Sequence, residues 1–126
     1  MARSAARRAT PEERARFRAV AKALNSAART NDDVAFLRID REFNELCLEA
    51  ARNEFAATAM QLMASLSRRF WYVHYKQAAD MPETAKLHAD IAVAIAAGDP
   101  EAAARASDAL LASIGAFTRN TVSTDF

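Results

Sequence analysis

Ile39-Asp40-Arg41-Glu42-Phe43-Asn44, continuing through Leu46 and Leu48 to Ala50-Ala51-Arg52-Asn53, has the pattern of a core-facing helix with one charge out of place. Phe36, Ile39, Phe43, Leu46 and Ala50 recur at steps of three and four, which puts them on one face of an α-helix turned to a core. Asp40 stands on the margin of that face. A carboxylate taken out of water without a partner costs several kcal/mol. Something in the fold must answer it, and the nature of that partner bears directly on function.

Helical signals continue on both sides. Met1 to Ala9 is rich in Ala and Arg, which favours helix without an apolar face, and has the look of the tail of an element that begins upstream. Thr10-Pro11-Glu12-Glu13 is a helix start, with Thr as N-cap, Pro at the first helical position and Glu where a capping box needs it. That helix runs through Phe17, Val20 and Leu24 to about Ala28, and Arg29 to Asp33 forms the turn that caps the Asp40 helix. Asn53 is expected to end the Asp40 helix and to cap the next, which carries Phe55, Ala59, Leu62, Met63, Leu66, Phe70 and Val73 to Gln77 or Ala78. Its aromatic end, Phe70 to Tyr75, is apolar nearly all round, as in a deep core or an interface. Asp80 to Glu83 caps a helix from Thr84 to Ala97 with an inner stripe of Leu87, His88, Ile91, Ala94 and Ile95. Gly98-Asp99-Pro100 stops it and starts a last helix from Glu101 to about Thr118. That helix turns Ala103, Ala106, Leu110, Ile114 and Phe117 inward, and Ser123 to Phe126 should fray. With no strand pattern and short connections, the expected fold is all-α, an antiparallel bundle of five to six helices in a single domain over 1–126.

The net charge of +1 hides an asymmetry. Residues 1–30 hold eight Lys or Arg against two Glu, a formal +6, which leaves nine basic and fourteen acidic residues, −5, for the rest. Arg and Lys spread along a helix usually form a solvated face; the other readings are nucleic acid or a charged neighbouring domain. Cys47 is the sole cysteine, so there is no internal disulfide, and its place beside the apolar stripe fits a small buried hydrophobe in a reducing compartment. No apolar run approaches membrane-spanning length and no signal-peptide pattern opens the chain, so the expected location is the cytoplasm.

Gly-rich phosphate loops, CxxC, HExxH and GxSxG are all missing, and no nucleophile stands beside a base, so an enzyme is not expected. Neither His74 nor His88 has a Glu three residues before it, which removes the ferritin-like di-iron pattern. His88 alone would be a core histidine satisfied by one hydrogen bond. With Asp40 also intruding on an inner face, the two either pair or share a cation. Arg69 falls on the Leu62, Leu66, Val73 stripe; buried, it would want a carboxylate, and otherwise it lays its methylenes on the core with the guanidinium in water. His74 either lines the same pocket or stands exposed at a helix end.

These stretches resemble the FCD domain, the C-terminal ligand-sensing and dimerising part of GntR-family transcription regulators of the FadR subgroup. Ile39 to Asn44 is similar to the family's Asp-x-x-Phe-His, and Ala50-Ala51-Arg52-Asn53 to its Ala-x-x-Asn-x-x-Leu. Leu87 to Asp99 is similar to its His-x-x-Ile-x-x-Ala-Ile-x-x-Gly-Asp. The resemblance covers residues 10–120. It implies a homodimer that senses a small organic acid in the bundle core, with DNA bound by a winged-helix domain that precedes the FCD domain and is absent from this chain. In many such domains an Asp and three His hold a divalent metal. Asp40 takes the Asp position and His88 the central His, but Asn44 and Leu110 stand where further His are usual. Asn is a poorer ligand than imidazole for zinc-like ions, and Leu110 offers nothing. Two alternatives follow. Either a weakened zinc-, nickel- or manganese-type site persists on Asp40, Asn44 and His88, or the metal is lost and the effector is bound through Arg69, His74 and hydrogen bonds. A different class altogether is a helical dimerisation or interaction module in which Asp40 and His88 merely pair, and direct DNA binding by residues 1–30 is a further alternative.

Overall fold

Each helix begins at a side chain suited to the task. The computed structural model describes residues 1–55, 57–59, 62, 69 and 81–125, with side chains beyond Ala116 described only at Arg119. Helix α1 spans Ala2–Arg8, α2 Pro11–Thr30, α3 Asp33–Ala51, α4 Met81–Ala97 and α5 Pro100–Asp125. The described residues between α3 and α4 beyond Asn53 are helical too, and no strand occurs among the described residues. The architecture is an all-α helical bundle.

At the start of α2 the capping box closes in both directions: Glu13 N–H donates to Thr10 Oγ1 (3.1 Å) and Thr10 N–H to Glu13 Oε1 (2.8 Å). Asp32 accepts from Ala35 N–H and Asp99 from Ala102 N–H, each at 3.0 Å, so one short side chain opens α3 and another α5. The helix ends turn left-handed at Asn31 (φ 52°), Arg52 (φ 53°) and Gly98 (φ 69°). Arg52, rather than the expected Asn53, therefore ends α3. An arginine in that region is strained, and its side-chain bonds, described below, hold it there.

Helix α2 lies at the centre, packed on α3 and more extensively on α4; α4 packs on α5, and α1 spans α3, α4 and α5. Phe17 and Leu24 of α2, Leu46 of α3 and Ile95 of α4 are fully buried. Ala5, Ala6, Ala85, Ala92 and Ala103 are buried without any exposed surface, which lets backbones approach closely.

Several expectations are corrected. Met1 to Ala9 does have an inner face, made of Ala2, Ala5, Ala6 and Ala9, and α1 is a separate short helix rather than the start of a long one. Phe55 is 90% exposed and Leu62 72% exposed, so the inward stripe read from them is not inward. Met63, Leu66, Val73 and the aromatic run Phe70 to Tyr75 lie outside the described residues. Helix α5 continues to Asp125 instead of fraying, Ala103 and Leu110 face the core as expected, and Ile114 is 38% exposed. Phe117 has no described side chain.

Candidate functional site

Two helices meet over one imidazole. On α3, Phe36, Asp40 and Phe43 fall at i, i+4 and i+7 and so share a face, and α4 turns His88 onto it. The His88 ring lies edge to face with Phe36 (centroids 5.7 Å apart, planes at 75°) and with Phe43 (5.6 Å, 81°). Phe43 is in turn set by an edge contact to Phe17 of α2 at 6.3 Å.

Hydrogen bonding then fixes the ring. His88 Nδ1 lies 2.8 Å from the carbonyl oxygen of Thr84, one turn back on α4. A carbonyl only accepts, so Nδ1 carries a proton and Nε2 is left to face Asp40 Oδ1 at 2.9 Å. In a neutral ring Nε2 is a bare lone pair, and an ionised Oδ1 has only lone pairs too. The two can stand this close only with a positive charge between them, either a proton that makes His88 an imidazolium or a metal ion. Oδ1 is shielded from solvent and accepts no well-formed hydrogen bond, so the 2.9 Å approach is an ion-pair contact without the alignment of a good hydrogen bond. Burial penalises the charged ring, but the Asp40 contact and charge, with the Thr84 carbonyl, outweigh it and hold the His88 pKa above the ordinary histidine value.

Around this pair the expected residues sort themselves. Asn44 is half-buried and its amide nitrogen points to Asp40 Oδ2 at 3.5 Å, a long contact that leaves the amide free to tighten on something else. Arg69 is exposed, which agrees with a guanidinium in water; the carboxylate's partner is His88, not Arg69. His74 lies outside the described residues. Leu110 is buried in the core and contributes packing worth roughly 2 kcal/mol. Cys47 is buried and its thiol is pushed up to about 12 by burial, opposed by the amino group of Met1 and reinforced by Asp40, so it is no thiolate ligand at neutral pH. Thr84 went unremarked in the sequence, because its part is played by a backbone carbonyl that no side chain advertises.

Could this donor set hold a metal? Two ligands on adjacent corners of an octahedral ion, with bonds of about 2.1 Å, stand about 3 Å apart, which matches Oδ1 and Nε2. The unpartnered buried oxygen and the lone pair left by Thr84 both fit. Among the described residues no group of three His, Cys, Asp or Glu converges, so Asn44, water or an effector would have to complete the shell.

The FCD domain family matches residues 1–113, most of the chain. This chain belongs to the FCD domain family. FCD domains are the effector-binding, regulatory and non-enzymatic part of GntR-family regulators. Comparison with curated proteins and with solved structures gives no match. Within this FCD domain the matched span contains both Asp40 and His88, and among the described residues no helix is long and apolar enough to cross a membrane.

Proposed function

We propose that this FCD domain senses a small carboxylate metabolite in the bundle core beside Asp40 and His88. It works as a cytoplasmic homodimer whose DNA contacts are made by a winged-helix domain rather than by this chain. The observation that supports the reading is the buried, hydrogen-bond-deprived Oδ1 of Asp40 opposite a histidine nitrogen whose proton has been assigned elsewhere by Thr84. Such a pair is costly in a core unless a cation or ligand uses it. Asp40, His88 and, more weakly, Asn44 are the residues that would hold a zinc-, nickel- or manganese-type ion. When bound, that ion would offer the effector carboxylate a positive centre. Arg69 and His74 are the residues to test as effector contacts. Effector binding would shift the population between dimer arrangements by its difference in affinity for them.

Elemental analysis, followed by calorimetry with Zn²⁺, Ni²⁺, Mn²⁺ and a panel of di- and tricarboxylates, tests this. Binding lost in Asp40→Ala while the fold persists is the expected result. A second reading is favoured by the 2.9 Å contact and the raised His88 pKa: a proton suffices, the pair is structural, and the domain is a helical interaction module. Neither bound metal nor any ligand-dependent rise in Tm would leave that reading standing.

A further inference from the structure

Helix α1 depends on its neighbours more than any other element. Its seven residues are too few to stay helical alone in water, and every side chain it turns inward is an alanine. A methyl group takes little surface out of water, so polar contacts must hold the helix down. They are gathered at one end. Arg8 Nη1 donates to the carbonyl of Ala51 at 2.8 Å, and Arg52 Nη1 donates to the carbonyls of Arg8 and Ala50, both at 2.9 Å. Arg52 Nη2 pairs with Glu13 Oε1 at 2.8 Å, the same oxygen that closes the capping box. From the other side Arg14 donates to the carbonyls of Ala9 (3.1 Å) and Ala6 (3.3 Å), its guanidinium lying across Gly98, where any Cβ would collide with it. The C-termini of α1 and α3 thus meet, and arginines satisfy the carbonyls that each leaves unpaired. The opposite end of α1 has only the exposed Arg3–Glu101 pair at 3.3 Å.

Beneath α1 runs the α3 face. The amino group of Met1 is near enough to influence Cys47 electrostatically, and so is Asp40, two turns further along α3. Ala9 and Thr10, which join α1 to α2, are both extended and unstrained.

We propose that α1 is a flap, latched by Arg52 and Glu13 and hinged at Ala9–Thr10, that opens independently of the other helices and bares Cys47 and the α3 face leading to Asp40. That the opening admits an effector rests on the sensing function proposed above; the flap itself does not.

Cys47, the sole cysteine, is the reporter. Its alkylation by iodoacetamide is followed across urea concentrations below the unfolding transition, beside global unfolding measured by circular dichroism. Wild-type alkylation should be nearly independent of urea, as for a local opening. Arg52→Gly removes the guanidinium while suiting the left-handed backbone, and it should label roughly tenfold faster with no loss of global stability. Glu13→Gln should also label faster. Labelling of Arg52→Gly at the wild-type rate, or labelling that rises with urea at the slope of global unfolding, would overturn the flap. No metal or organic acid enters the experiment, so its failure would leave the effector proposal untouched, and the converse holds too.

Discussion

His88 is held on every side that a histidine can be: its Nδ1 proton by the Thr84 carbonyl, its edges by Phe36 and Phe43, its Nε2 by Asp40. The two partners are not equivalent when removed. Asp40→Ala lets the ring shed a proton and remain bonded through Nδ1, at a cost of about 1 kcal/mol. His88→Leu strands a largely buried carboxylate and should cost roughly 3 kcal/mol, whereas Asp40→Leu with His88→Leu should come back to within about 1 kcal/mol of wild type. Urea unfolding of metal-free protein at pH 7 measures all three; a His88→Leu loss no larger than that of Asp40→Ala would mean that the carboxylate reaches water. Both residues could be placed on inner faces from spacing alone. Their meeting could not, because periodicity gives the angle of a side chain about its own helix and nothing about the helix opposite.

At the scale of elements, helix starts were the most legible feature. Thr10-Pro11-Glu12-Glu13, Asp32 and Asp99 act as their side chains dictate, since a cap is satisfied within a turn of its own residue. Glu13 carries a second duty that was not legible, the pairing with Arg52 of α3. Burial raises its pKa, but the Thr10 amide and the Arg52 guanidinium outweigh this, so the folded value lies below the ordinary 4.5. A carboxyl depressed in the folded state adds stability above its unfolded pKa and loses it as pH falls through the folded value. Wild type should therefore be about 1 kcal/mol more stable than Glu13→Gln at pH 7, half-exposed Arg52 keeping the figure small, and the two should converge by about pH 3. Parallel denaturation curves across that range decide it. The helical stretch after α3 was legible as helix, but Phe55 and Leu62 were assigned an inner face they do not have. Amphipathic spacing shows which side would bury if something lay against it.

For the molecule as a whole, the energetics rest on α2 and α4. Leu24 and Ile95 are fully buried, so Leu24→Ala and Ile95→Ala should each cost roughly 3 kcal/mol. Leu111, one residue past buried Leu110 on α5, is 62% exposed, and Leu111→Ala should change stability by no more than about 0.5 kcal/mol. Thermal and urea unfolding rank the three; equal losses would mean that Leu111 is covered in solution, as an interface between copies would cover it.

Sequence alone determined that the chain is helical, where most helices begin, that a carboxylate and an imidazole intrude on apolar faces, and which family it belongs to. These are properties of one turn or one face, governed by backbone bonds and side-chain period. Tertiary structure decided which polar groups meet: Asp40 with His88, Glu13 with Arg52, Arg14 across Gly98. Those pairings depend on how helices far apart in the chain are packed against one another, and local patterning does not encode that.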